Sequence, residues 1–157
     1  HEGSDFTFGA AQIGGGKQTL EIITTVTHAE PDATSRQTVR SVLAGHATGT
    51  YLGKVAVARD AQHTDSEQSV KAMLLDRTAT ANAKPELEIF ADDVKCAHGC
   101  AIGELDPVAL FYLESRGLPP ADARTLLLQA FVSGVFDGAE DAEALQALAL
   151  AKLGALA

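Results

Sequence analysis

In this chain of 157 residues, the side chains best able to hold a metal or attack an electrophile gather in one run. It reads Asp92-Asp93-Val94-Lys95-Cys96-Ala97-His98-Gly99-Cys100. Thiolate and imidazole are the ligands of zinc sites and of iron–sulfur chemistry. Read as a strand, the run points Cys96, His98 and Cys100 to one side. Residues i and i+4 of a strand lie ~13 Å apart. Two ligands of one ion are separated by roughly 4 Å, given metal–ligand distances near 2.0–2.3 Å. A straight strand therefore cannot close all three on one ion. A kink at Gly99 is one way out, and co-ligands from another chain are the easier one. Two ordinary buried thiols beside an incidental histidine are the plainer alternative. A metal- or thiol-dependent enzyme using Cys96 or Cys100 with His98 is a third, and it needs a depressed thiol pKa in an enclosed pocket.

Other motifs carry less. Gly14-Gly15-Gly16-Lys17 invites a phosphate loop, but Ala11 and Gln18 stand where a glycine and a Ser or Thr are required, so a turn is expected. No Gly-x-Ser-x-Gly elbow is present. His28, His46 and His63 sit singly in turn-like segments and are expected at the surface. Cys96 and Cys100 are too few and too close for a disulfide framework, which favours a reducing, cytoplasmic compartment. The net charge of −9 argues against nucleic acid or an anionic membrane as partner. No apolar run approaches the ~20 residues that span a bilayer. The opening His1-Glu2-Gly3-Ser4-Asp5 has neither an initiator Met nor the order of a signal peptide, so the sequence reads as a fragment or a processed chain.

The elements that must position the Cys-His run change character near residue 103. Before it, residues 20–27, 38–43, 54–58 and 87–90 are β-branched or alternating, with Gly, Asp, Asn and Pro clusters between them. Shifting the chain by 31 residues lays Val26 on Val57 and Gln37-Thr38-Val39-Arg40-Ser41-Val42-Leu43 on Gln68-Ser69-Val70-Lys71-Ala72-Met73-Leu74. One residue more lays Val55-Ala56-Val57 on Leu87-Glu88-Ile89. Short strands repeating at this interval predict stacked rungs, a β-helix or related solenoid over residues 1–103. Residues 104–157 read as a helical region. Asp106 caps and Pro107 opens a helix to Ser115 that Gly117 ends. A second is expected over 121–136, with Leu127, Ala130, Phe131, Gly134 and Val135 on one face. A third is expected over 140–156, carrying Leu145, Leu148, Leu153 and Leu156. Such stripes serve as core, cap or docking surface.

The run Lys84-Pro85-Glu86-Leu87-Glu88-Ile89-Phe90-Ala91-Asp92-Asp93-Val94-Lys95-Cys96-Ala97-His98-Gly99 closely resembles the SufB/SufD family of the SUF iron–sulfur cluster assembly system. The likeness resumes in Ile102-Gly103-Glu104-Leu105-Asp106 and Phe111-Tyr112-Leu113-Glu114-Ser115-Arg116-Gly117. Upstream it takes in Asp60-Ala61-Gln62-His63-Thr64-Asp65 and Gln68-Ser69, so it covers roughly residues 50–136. SufB-type chains usually carry Glu where His98 stands, so the sequence is similar to the SufD branch. Cys100 departs from the small apolar residue expected there, and the tail from Gly138 is longer than usual. The resemblance implies a mainly β fold, a right-handed parallel β-helix followed by a small helical C-terminal region. It implies a non-enzymatic scaffold of a SufBCD complex, pairing with a SufB-like subunit through the β-helix and with a SufC-like ATPase through the C-terminal helices. It also implies that His98 lies near the SufB–SufD interface. There it would help form a nascent cluster, or hold iron transiently, together with a partner's Cys, and none would be tightly bound by this chain alone. Cys96 and Cys100 are secondary candidates as metal ligands. In isolation a homodimer is the alternative pairing, and a solenoid serving only for interaction is the alternative role.

Overall fold

The computed structural model describes residues 1–156. Seven strands run in chain order: β1 Asp5–Gly14, β2 Thr19–His28, β3 Thr34–Leu43, β4 Thr48–Val57, β5 Asp65–Leu74, β6 Thr80–Ile89 and β7 Lys95–Glu104. Three helices follow, α1 Pro107–Ser115, α2 Pro120–Val132 and α3 Ala142–Gly154. Odd-numbered strands form one parallel sheet in the order β1-β3-β5-β7, and even-numbered strands form a second, β2-β4-β6. Each turn of the chain thus contributes one strand to each sheet, which is the β-solenoid that the sequence repeat predicts.

The repeat is the hydrogen-bond register itself. Thr38 pairs with Ser69 and Val39 with Val70, at the 31-residue offset read from the sequence. Val55 pairs with Leu87, at the offset one residue longer. Val26 pairs with Val55 and not with Val57. That rung is two residues shorter, and strand side chains alternate with period two, so the misplacement leaves Val26 on the correct face. The corners stack as the strands do. Asp32 and His63 occupy corresponding positions at one corner with φ of 59° and 60°. The Asp32 N–H donates to Gln62 O and the His63 N–H to Asp93 O, carrying the ladder around the bend.

Between the sheets the filling is apolar at the ends of the strands and polar in the middle. Val55, Val57 and Ala61 pack together at one end, and Leu43, Ala47 and Ala79 at the other. Between them lie Val39, Tyr51 and Val70, beside the buried polar residues Gln37 and Gln68, while Ser35 and Ser66 lie with His28 toward the Val57 end. Gly53 makes room for this layer. A Cβ there would stand 2.2 Å from the Tyr51 hydroxyl and 2.4 Å from its ring.

The helices lie against the outside of the odd-numbered sheet. Leu128 and Val132 of α2 join Ala149 and Leu153 of α3 over Ile13 and Val42. The expected helix faces need correction. Helix α2 stops at Val132, because Ser133 is extended and Gly134 takes a φ of 79°. Its buried residues are Ala123, Leu128 and Val132, while Ala130 is exposed. Helix α3 buries Ala149 and Leu153 and leaves Leu145 and Leu148 exposed. Leu128, Val132 and Leu153 mark the contact face together with the small Ala149.

Gly53→Ala is expected to push the Tyr51 ring out of its place and destabilise the solenoid by roughly 1–3 kcal/mol, as overpacking of a filled core does. Denaturant titration measures it, and an unchanged midpoint would contradict the reading.

Candidate functional site

Strand β7 is the last rung because the chain leaves the sheet after Glu104. Asp106 Oδ1 accepts the Val108 N–H at 2.8 Å, and Pro107 occupies the first helical turn. The two sheets consequently end in different edges. At this end of the solenoid the open edge of the even-numbered sheet is β6, which carries Lys84, Pro85, Glu86 and Glu88. Proline and charge are the ordinary means of blocking further strand pairing. The open edge of the odd-numbered sheet is β7, and between Lys95 and Glu104 it holds neither proline nor a charged carboxylate, Lys or Arg side chain. It extends ten residues and is largely exposed.

The Cys-His run lies on this edge. Cys96, His98 and Cys100 stand in register with Ser66, Gln68 and Val70, the inward-facing residues of β5. They therefore share the inner side of the sheet, with no rung above them. Cys96 is half-buried and packs against the cluster of Val55, Val57, Ala61 and Ala91, whereas His98 and Cys100 are exposed. Burial pushes the Cys96 thiol up, and the Asp65 carboxylate adds to this, partly offset by a hydrogen bond to the backbone of Ser66. Among the described residues, no three His, Cys, Asp or Glu side chains are grouped so as to hold one metal ion.

Two polar columns run inward from these residues, and sequence reasoning missed both as columns. One holds His28, which the structure places in the interior at 5% exposure, contrary to the surface position expected of it. Its Nε2 lies 2.9 Å from Ser35 Oγ, and Ser35 Oγ lies 2.8 Å from Ser66 Oγ, one rung beneath Cys96. The signal was available in the alternation of Leu20, Ile22, Thr24 and Val26, which His28 continues on the same face. The second column contains Gln37 and Gln68, one rung apart beneath His98. Gln68 Nε2 donates to Tyr51 Oη at 3.4 Å, and Tyr51 Oη and Thr24 Oγ1 lie 3.0 Å apart. Thr24 donates to Gln37 Oε1 at 3.0 Å. The remaining histidines, His46 and His63, are exposed as expected. His63 bridges the stacked corner, with Nδ1 3.0 Å from Asp32 and Nε2 3.3 Å from Asp93. Gly14-Gly15-Gly16-Lys17 closes a turn, where the Gly15 N–H donates to Gln18 Oε1.

A parallel two-sheet solenoid ending in a Cys-x-His rung, with helices folded back on its outside, defines a class of β-solenoid proteins. Residues 1–131 match the family model for the SufBD core domain of SUF system FeS cluster assembly. The chain is 37% identical over 136 residues to an iron–sulfur cluster assembly SufBD family protein of Synechocystis, covering 87% of this chain and 30% of that one. It is 35% identical over 120 residues to the iron–sulfur cluster assembly protein SufD of Escherichia coli, covering 76% and 28%. It is 40% identical over 123 residues to the chloroplastic protein ABCI7 of Arabidopsis thaliana, covering 77% and 26%. The chain belongs to the SufBD family of the SUF iron–sulfur cluster assembly system, with SufD-like character. It spans between about a quarter and a third of the length of these relatives. No helix among the described residues is long and apolar enough to cross a membrane.

Two outcomes follow from the site's surroundings. Cys100 should alkylate with iodoacetamide several-fold faster than Cys96, because thiolate and access control the rate and burial suppresses both at Cys96. Mass spectrometry of partly labelled protein would show it, and equal labelling would contradict it. Burial also lowers the pKa of His28 from 6.5. Below pH 6.5 the unfolded chain therefore takes up a proton that the folded one resists. This contribution to stability is intact above that pH and is lost as pH falls through the lower folded value. His28→Gln should flatten that acid-side slope in urea titrations, and a slope equal to wild type would contradict it.

Proposed function

We propose that this chain is part of a SufD-like scaffold subunit that performs no catalysis itself and presents His98 to a nascent iron–sulfur cluster shared with a SufB-like partner. The observation that carries the reading is the unblocked edge of β7. A row of free N–H and C=O groups is a template for another strand. The neighbouring edge of β6 is guarded by Pro85 and three charged residues, so pairing is directed to the rung that carries His98. A partner strand laid there brings its own side chains opposite Cys96, His98 and Cys100. It supplies the co-ligands that an extended strand cannot gather by itself. A second copy of this chain is the competing occupant in isolation. Cys96 and Cys100 are secondary ligands for iron or cluster, which is cargo in transit.

A thiol enzyme fits less well. A nucleophilic cysteine needs a lowered pKa, and the surroundings of Cys96 raise it. The free thiols suit a reducing, cytoplasmic compartment.

The C-terminal helices are proposed to dock a SufC-like ATPase. Helix α1 buries none of its side chains and exposes Val108 at 72%, Phe111 at 70% and Tyr112 at 56%. Helices α2 and α3 use their apolar residues to cover Ile13 and Val42. Leu126, Leu145 and Leu148 of these two helices stay exposed, but α1 is the helix with no buried side chain and carries the two most exposed large apolar residues, Val108 and Phe111, so it is the main candidate surface.

In the full-length subunit, His98→Ala should leave folding and ATPase binding intact. It should reduce cluster formation with the SufB-like partner by at least the roughly 10–100-fold typical of losing an outer-shell partner. Complementation of a cluster-assembly defect in vivo reads the same effect. Full activity of His98→Ala, with folded Cys96→Ser inactive, would move the site to the thiol. Phe111→Glu should abolish ATPase binding in a pull-down without moving the denaturation midpoint, and unchanged binding would contradict the docking assignment.

A further inference from the structure

We infer that Gln68 is a positioning residue for His98, accepting a hydrogen bond from the ring Nδ1–H and so leaving the Nε2 lone pair for the incoming metal. The inference rests on the reading of His98 as a ligand.

Gln68 is fully buried, at 0% exposure, and its Oε1 has no hydrogen-bond partner. Its amide nitrogen faces Tyr51. Thr24 and Tyr51 each have one hydroxyl proton. Thr24 donates to Gln37 Oε1, and Tyr51 lies within reach of both Thr24 Oγ1 and Gln37 Oε1. The Tyr51 proton is thus spent in that direction, and its oxygen accepts from Gln68 Nε2. With both amides as they stand in the structure, donation runs Gln68 to Tyr51 to Thr24 to Gln37, and Gln68 turns its amide nitrogen toward Tyr51 and leaves its carbonyl oxygen free.

A carbonyl oxygen has two lone pairs. Gln37, directly below in the register, has its own buried and unpartnered Nε2 and is the donor available for one of them. Directly above in the register is His98. Same-rank side chains on adjacent rungs stand about 4.8 Å apart, a gap that rotation about the side-chain torsions narrows to hydrogen-bonding distance. Nδ1 is the ring nitrogen nearer the backbone, and a ring turned with Nδ1 toward the rung below would leave Nε2 to face a partner. A buried acceptor left unpaired costs about 1–3 kcal/mol, so the free lone pair favours the ring conformation that satisfies it. Metal-binding histidines commonly hold their other N–H against an oxygen acceptor in this way, which sets tautomer and ring direction.

The test uses the full-length subunit labelled with 15N-histidine, with the His98 signals identified by their loss in His98→Ala. At about pH 8, where an ordinary imidazole is neutral, long-range proton–nitrogen spectra report the tautomer. Wild type should show His98 as the Nδ1–H form. Gln68→Met, equal in length but without the acceptor, should return it to predominantly Nε2–H, whereas Gln68→Glu should keep Nδ1–H. Cluster formation with the partner should fall roughly tenfold in Gln68→Met and be retained in Gln68→Glu. A tautomer indifferent to both substitutions overturns the inference even if His98→Ala abolishes cluster formation. A tautomer that follows Gln68 while His98→Ala forms clusters normally upholds the positioning and removes the ligand reading instead. Should Gln68→Met fail to fold, the wild-type spectrum decides, since an Nε2–H form there overturns the inference.

Discussion

In an in-register parallel stack, every side chain has its same-rank neighbours about 4.8 Å above and below. Interior residues of this chain therefore form columns, and each column is satisfied or strained as a unit. Ser35 and Ser66 pair hydroxyl to hydroxyl, and Val39 lies beneath Val70. The last rung has a neighbour on one side only. Cys96, His98 and Cys100 stand at column ends, and their backbone stands at a sheet edge. Exposure of chemically capable side chains and of unpaired backbone groups comes from the same termination, after Glu104.

The polar middle of the solenoid is the less usual feature. Tyr51 reaches from one sheet to meet Gln37 and Gln68 of the other, and burial raises its pKa against a smaller opposing effect of the Thr24 hydrogen bond. Buried networks of this kind reward completion and penalise a missing member. Gly53 is small so that Tyr51 can lie where it does.

Much of this was legible in the sequence because rung length is nearly constant. The match of residues 37–43 with 68–74 found one register, and the change of period after residue 103 found where the strands stop. The parity of Cys96, His98 and Cys100 was legible as soon as the run was read as extended. The shared direction of Gln37 and Gln68 was not, because a polar residue in an alternating strand is ordinarily taken to face water. His28 was misread because the strand was expected to end at residue 27, which put His28 in a turn, whereas β2 extends to it. The helix faces were only partly legible: Leu153 is buried as its stripe suggested, but Leu128, Val132 and Ala149 complete the contact, while Leu145 and Leu148 stay outside.

The central claim is that the β7 edge is the pairing surface that brings a partner to His98. Hydrogen–deuterium exchange of the full-length subunit, alone and with its SufB-like partner, addresses it directly. In a parallel strand, alternate residues direct both backbone groups to one side, so half the amides of Lys95–Glu104 face the open edge. Slowed exchange of those alternate amides on partner addition, with β6 little changed, is the predicted result. Protection confined to other surfaces, with β7 exchanging as freely as before, would contradict the account.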